Sequence, residues 1–239
     1  MNDNLTGKKL YGDNFTLDQI KQGYEQESEG YANLGSKDES KYSYGYHKMN
    51  EVHGFNKLKN DYFENVLGFG SAWGYEFEPI IIKIKNLAII EPSDNLRNDK
   101  IGKLIPNYVK PEIDGSLKFK SNSFDLITCF RALHHIPNVS FVLRELIRVL
   151  KPNGYLLLRE PIISMGDWSF PRKGLTKNER GIPVSFFEFL FNYEPVEIVS
   201  REYCFTATNF INKTIGRLLK RPIYSYKSYV LFDKLFSFF

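Results

Sequence analysis

The stretch that most constrains this chain runs from Phe63 to Gly74, F-E-N-V-L-G-F-G-S-A-W-G. An apolar run through Val66, Leu67 and Phe69 stops at a turn of small residues, Gly70-Ser71-Ala72-Trp73-Gly74. A helical pattern follows, so the stretch predicts a buried parallel strand, a tight loop and the start of a helix. Small residues at alternate loop positions let a ligand lie against bare backbone. The helix start offers unpaired N–H groups to a carboxylate or phosphate.

A second apolar run, Leu87-Ala88-Ile89-Ile90, ends in Glu91, twenty-one residues after Gly70. In open α/β sheets an acidic side chain at about that spacing accepts hydrogen bonds from ribose hydroxyls. Dinucleotides and S-adenosylmethionine both suit that geometry. Ser121 to Pro161 separates them. Phe124-Asp125-Leu126-Ile127, then Leu133-His134-His135-Ile136-Pro137, then Leu150-Lys151-Pro152-Asn153-Gly154-Tyr155 follow the glycine loop in order. With that loop they resemble class I S-adenosylmethionine-dependent methyltransferases of the small-molecule type, over roughly residues 60 to 161. No hydride-acceptor site of a dehydrogenase is found.

The resemblance implies an α/β, Rossmann-like fold: a mostly parallel central sheet with helices on both faces, in a single domain. Residues 1–60 are expected as an N-terminal lid, 61–161 as the cofactor-binding core, and 162–239 as an acceptor-side insertion and C-terminal part. It implies S-adenosyl-L-methionine as cofactor, held by Gly70, Ser71, Ala72, Gly74, Glu91, Pro92, Asp114, Phe130 and Arg131. Gly68 departs from the pattern, since many relatives carry an acidic residue at that end of strand one.

Along the chain, Leu17 to Tyr31 is a helix candidate with Thr16 as N-cap. Tyr44, Tyr46 and His47 follow in an aromatic segment that suits a lid, because tyrosine buries a ring and keeps a hydroxyl at a wet edge. Ser71 to about Lys85 is expected as the first helix, with Pro79 in its first turns or at a kink. Pro106 and Pro111 shorten any third strand. Phe124 to Phe130 reads as a central strand, Val139 to Leu150 as an amphipathic helix and Tyr155 to Leu158 as strand five. Residues 162–183 form a long insertion, Val196 to Cys204 reads as strand six, and 206–221 as an extra helix. Tyr226 to Phe232 fits an antiparallel seventh strand, while the last residues suit a short amphipathic helix equally well.

At 239 residues the chain can build one three-layer core. No apolar run approaches the roughly 18 residues that span a bilayer, and Met1 to Lys9 lacks an apolar signal region. Two cysteines, Cys129 and Cys204, make no disulfide framework. A cytoplasmic protein is expected. From Arg201 onward seven basic residues face two acidic ones, a surplus that could meet a phosphate-bearing substrate or touch an anionic membrane peripherally. No integral membrane segment and no nucleic-acid partner are expected.

Methyl transfer from a sulfonium needs alignment, and an oxygen acceptor also needs a base. His134, His135 and Glu160 fall where strands four and five end, the ligand edge of such sheets, and are the candidate catalytic residues. Arg159-Glu160-Pro161 and Gly174 to Ile182 resemble methyltransferases of bacterial surface-polysaccharide and sugar-tailoring pathways. That implies a small acceptor bearing a sugar or phosphate, read by Tyr44, Tyr46, His47, Trp168, Arg172 and Arg180. No His/Cys/Asp group has metal-ligand spacing, so no metal is expected. O-methylation, N-methylation of a small metabolite, and a catalytically silent partner subunit stay open as readings.

Overall fold

The computed structural model describes residues 10, 12–34, 44–162, 176, 179–205, 216 and 222–237. Five strands form one all-parallel sheet: β1 (Phe63–Phe69), β2 (Ile84–Ile90), β3 (Asn107–Val109), β4 (Phe124–Phe130) and β5 (Leu150–Arg159). Their order is β3-β2-β1-β4-β5. The chain leaves β3 at one edge and re-enters the sheet at β4, beside β1. The order therefore reverses between β1 and β4, and ligands bind outside the carboxyl ends of the strands at such a switch point.

The central strands are near-continuous apolar runs because both faces are covered. On one face Leu67, Ile127 and Cys129 pack with Val139, Val142, Leu143, Leu146 and Val149 of helix α3 (Val139–Val149). On the other, Val66, Leu87, Ile89 and Leu126 pack with Phe55, Phe77 and Ile80. The predicted α3 thus presents an i, i+3, i+4, i+7 stripe to the sheet.

Helix α1 (Leu17–Leu34) begins at a reciprocal capping box. The Thr16 amide donates to Gln19 Oε1 at 2.9 Å, and the Gln19 amide donates to Thr16 Oγ1 at 3.4 Å. Just before it, Asp13 accepts the Ser140 amide at 2.8 Å, so the N-terminal segment caps α3 from a distance. Helices α2 (His47–His53) and α5 (Lys227–Phe236) pack together through Met49, Val52 and Val230, and α4 is Val184–Phe191.

Several expectations change. The segment after the glycine loop is 3-10, Tyr75–Lys83, with Pro79 inside it; proline removes an amide and clashes with the preceding turn of an α-helix. β2 consequently starts at Ile84. Val196 to Cys204 forms no strand, and of the two forms left open for the C-terminal residues the helix is the one present, as α5. The Lys151–Gly154 turn is a bulge within β5: Phe124 pairs Leu150, then Leu126 pairs Tyr155. The helix expected over 206–221 and most of the insertion lie outside the described residues. No described helix is long and apolar enough to cross a membrane.

Candidate active site

The loop after β1 is fixed from three sides. The Gly70 amide donates to Ile90 O at 2.9 Å, and the Tyr108 hydroxyl donates to Ala72 O at 2.9 Å. Glu91 accepts the Ala72 amide at 3.1 Å and the Ser93 amide at 2.9 Å. Gly70 adopts φ +67°, and a Cβ there would come within 2.7 Å of the Ala132 Cβ. Its glycine is therefore demanded by the turn after β4 as well as by backbone conformation. The sequence suggests a ligand in that space; the structure puts Ala132 there.

Glu91 is 5% exposed, and burial lifts its carboxyl to about 7. From α1, Tyr24 brings a hydroxyl that is buried without a hydrogen-bond partner among the described residues and that feels the Glu91 charge. A carboxylate clamped by two amides and an unsatisfied phenol therefore share one end of the site.

At Gly68 the Ser71 and Phe77 side chains occupy the space a Cβ would need. A carboxylate stands there all the same. Glu76, in the 3-10 segment, is buried and accepts the Ser71 hydroxyl at 3.0 Å and the Thr128 hydroxyl on the same oxygen. Thr128 is the register partner of Gly68 across β1 and β4. Burial pushes the Glu76 carboxyl up, opposed by the two hydroxyls and by Arg159. A sequence scan passes over it because its placement depends on a turn, not on spacing.

Across the Gly70–Ala132 contact lies a second group. The 3-10 turn Leu133–His135 follows β4. His134 is 1% exposed, and its Nδ1 lies 2.6 Å from Glu160 Oε2. Glu160 Oε1 accepts the Ala132 and Leu133 amides, each at 2.9 Å. Glu160 is thereby committed to holding the turn and orienting His134. On its other side, His134 Nε2 lies 3.6 Å from Glu179 Oε1. His135 Nδ1 lies 2.9 Å from Glu27 Oε2 of α1. Burial draws the His134 imidazole below its ordinary pKa, against the pull of both carboxylates. One ligand atom each from His134, His135 and Glu179 lie within 4.8 Å of one another. Sequence spacing could not bring Glu179 or Glu27 to these histidines.

The other expected residues divide. Tyr46 stacks on Tyr224 with centroids 4.8 Å apart, and its hydroxyl accepts Arg131 Nη1 at 2.9 Å. Tyr44 accepts Asn50 Nδ2 at 2.8 Å, and Asn50 in turn accepts Arg159. His47 pairs with Glu78 at 3.2 Å. The tyrosines and arginines thus cover the ends of β4 and β5. Phe130 lies buried beneath the Arg159 guanidinium, 5.0 Å from its ring centre. Pro92 is exposed, its carbonyl accepting Lys110 Nζ at 2.7 Å. Asp114 is exposed and accepts the Ser116 amide and hydroxyl at 2.8 and 2.6 Å, which hold it below the usual carboxylate range. Arg180 reads no exposed acceptor: it is 0% exposed, and Nη2 donates to Ile136 O at 2.5 Å and Pro137 O at 3.1 Å. It braces the histidine turn. Trp168 and Arg172 lie outside the described residues.

Comparison with known proteins agrees with this architecture. Residues 67–158 match a family described as a methyltransferase domain. An uncharacterized methyltransferase of Bacillus subtilis, YcgJ, is 51% identical over 43 residues, 18% of this chain and 17% of that protein. The aligned stretch thus spans about a sixth of that relative's length. An S-adenosylmethionine-dependent methyltransferase from Mesorhizobium loti superposes with TM-score 0.53 at 16% identity, over 70% of this chain and 91% of that one. A Haemonchus contortus phosphoethanolamine N-methyltransferase, solved with phosphoethanolamine and S-adenosylhomocysteine, gives TM-score 0.50 at 12% identity, over 85% of this chain and 42% of that one. The switch-point sheet and the glycine loop thus lie in a stretch, residues 67–158, that matches the methyltransferase-domain family, on a fold shared with class I S-adenosylmethionine-dependent methyltransferases.

Proposed function

We propose that the protein methylates a small polar acceptor held over the His134–His135 turn. One observation carries this reading: the Glu91 end and the imidazole–carboxylate group are joined at the Gly70–Ala132 contact, on one sheet edge. The residues fit the cofactor. Glu91 keeps lone pairs beyond those its two amide donors use, and the buried Tyr24 hydroxyl has no partner among the described residues. A ribose diol supplies both needs. Glu76 offers a buried carboxylate to an ammonium group near the end of β1.

S-adenosylmethionine supplies an electrophilic methyl on a sulfonium. Glu91 and Tyr24 would hold its ribose and Glu76 its ammonium group, leaving the methyl to be offered to the acceptor. α1 and the tyrosine segment exclude water and align the acceptor, which is the main protein contribution to such a displacement. A hydroxyl acceptor must also lose its proton, and in this reading the His134–His135 group with its carboxylates receives it.

The finer reading is O-methylation of a sugar, nucleotide-linked or phosphorylated metabolite in cell-surface glycan biosynthesis. It is supported by the resemblance around Arg159-Glu160-Pro161 and Gly174 to Ile182, and by Arg131 being exposed at the same edge. N-methylation is favoured by the burial of His134 between two carboxylates, since a nitrogen acceptor makes less demand on a base. Calorimetry with S-adenosylhomocysteine tests the first step: no binding would mean a silent subunit. Product release with amine acceptors, nucleotide sugars and sugar phosphates then decides the acceptor. Turnover confined to amines would overturn the oxygen reading.

A further inference from the structure

The geometry points to a divalent transition-metal site formed by His134, His135 and Glu179, with Glu160 and Glu27 as its outer partners. Each imidazole has one nitrogen already held by a carboxylate: His134 Nδ1 by Glu160 at 2.6 Å, and His135 Nδ1 by Glu27 at 2.9 Å. With the His134 proton assigned to Nδ1, its Nε2 lone pair faces Glu179, and His135 brings a ring nitrogen within 4.8 Å of the other two ligand atoms. Carboxylate–histidine–metal relays are built this way, and the outer carboxylate sets the tautomer and orients the ring.

The inner distances agree. His134 Nε2 and Glu179 Oε1 lie 3.6 Å apart, too long for a good hydrogen bond. Two ligands bonded to one tetrahedral ion at about 2.0–2.1 Å stand roughly 3.3 Å from each other. The three ligand atoms lie within 4.8 Å, so small side-chain rotations close the set. The backbone is already braced for it. The Arg180 amide donates to His134 O at 3.2 Å, and the Thr176 amide donates to Glu179 Oε2 at 3.2 Å. Neutral imidazoles with a carboxylate select zinc or a neighbouring first-row dication over calcium or magnesium. Three protein ligands leave a coordination position open, the pattern of a working site and not of a structural one.

The role of this ion rests on the methyl-transfer reading. A dication there would take the acceptor oxygen as a further ligand and lower its pKa, so that the proton is lost before the methyl arrives. Glu27 belongs to α1, so the ion would also tie the covering helix to the edge of the sheet.

The test uses the untagged full-length chain, stripped with chelator and titrated with zinc by calorimetry, with retained metal counted by mass spectrometry. One equivalent per chain is expected. Glu179→Gln should weaken zinc binding at least tenfold. Glu27→Gln, which leaves the inner set intact, should weaken it about ten- to a hundredfold. Cobalt in place of zinc should give the visible bands of a nitrogen- and oxygen-ligated ion without a thiolate charge-transfer band. Calorimetry with S-adenosylhomocysteine on the same samples shows that each variant is folded and keeps the two readings separate. Absence of stoichiometric zinc in protein that binds S-adenosylhomocysteine overturns the metal site alone. Zinc binding unchanged in Glu179→Gln overturns it too.

Discussion

Replacing Glu91 by glutamine should reverse sign with pH. Burial lifts this carboxyl from an ordinary value of 4.5 to about 7. A shift of about 2.5 units is worth about 3 kcal/mol at about 1.4 kcal/mol per unit, an upper figure for a group this well buried. The folded pKa lies above the unfolded one, so the folded state binds the extra proton. The associated stability is fully present below about pH 4.5 and is lost as pH rises through about 7. Glutamine cannot ionise and escapes that loss. It has one acceptor oxygen, however, so one of the Ala72 and Ser93 amides loses its partner, at about 1–3 kcal/mol independent of pH. Glu91→Gln should therefore melt below wild type at about pH 5 and match or exceed it at about pH 8. For a chain of this size 1 kcal/mol moves Tm by about 2–4 °C, so the gap between the two melting curves should change by roughly 5–10 °C. Differential scanning fluorimetry across that range reads it directly. Curves that stay parallel would refute the reasoning, because Glu91 would then ionise alike in both states. S-adenosylhomocysteine affinity should fall in the variant at every pH, since glutamine cannot accept from both ribose hydroxyls while serving a backbone amide.

Gly70→Ala should cost about 1–3 kcal/mol from its positive φ and its collision with Ala132, and adding Ala132→Gly should restore part of that in chemical denaturation. Arg180→Met should lower Tm by several degrees, because it leaves the Ile136 and Pro137 carbonyls buried without their donor. If its effect were confined to acceptor KM, the bracing role would be wrong. Thr16→Ala should cost about 1 kcal/mol locally and speed amide exchange in the first turns of α1 while the sheet stays protected.

What could be read from the sequence follows the range of the interactions. β1, β2 and β4 are legible because a parallel strand covered on both faces is a plain apolar run. α3 is legible because its stripe is strongly periodic, and Thr16 because a capping box closes within one turn. Glu91 is found because the sheet itself fixes its distance from Gly70. Local reading fails where two rules compete. Tyr75–Lys83 has apolar residues at helical spacing, but Pro79 turns it to 3-10. Val196 to Cys204 has strand-like residues and no ladder to join, since sheet pairing is decided by neighbours far along the chain. The site shows the same division. His134, His135 and Glu160 sit at strand ends and can be named in advance. Glu27, Glu76 and Glu179 reach the site from a helix, a turn and a distant loop. Arg180 carries a surface-like charge into full burial, which no periodicity announces.

The contact between Gly70 and Ala132 bears on how a protein of this fold, with the activity proposed above, would change its acceptor over evolutionary time. The turn from Arg131 to Ile136 is where new acceptor chemistry would be tried, because it ends β4 and carries both imidazoles. Yet its second residue sits against the loop that also serves Glu91, and at this contact there is no room for even one methyl group. Enlarging Ala132 would push on Gly70, and Gly70 is bonded to the end of β2. Variation at this position would therefore be filtered first by cofactor affinity and only afterwards by acceptor choice. Selection acting on the acceptor would be channelled away from the turn, into α1 and the segment that brings Glu179, which can drift without passing through that bottleneck.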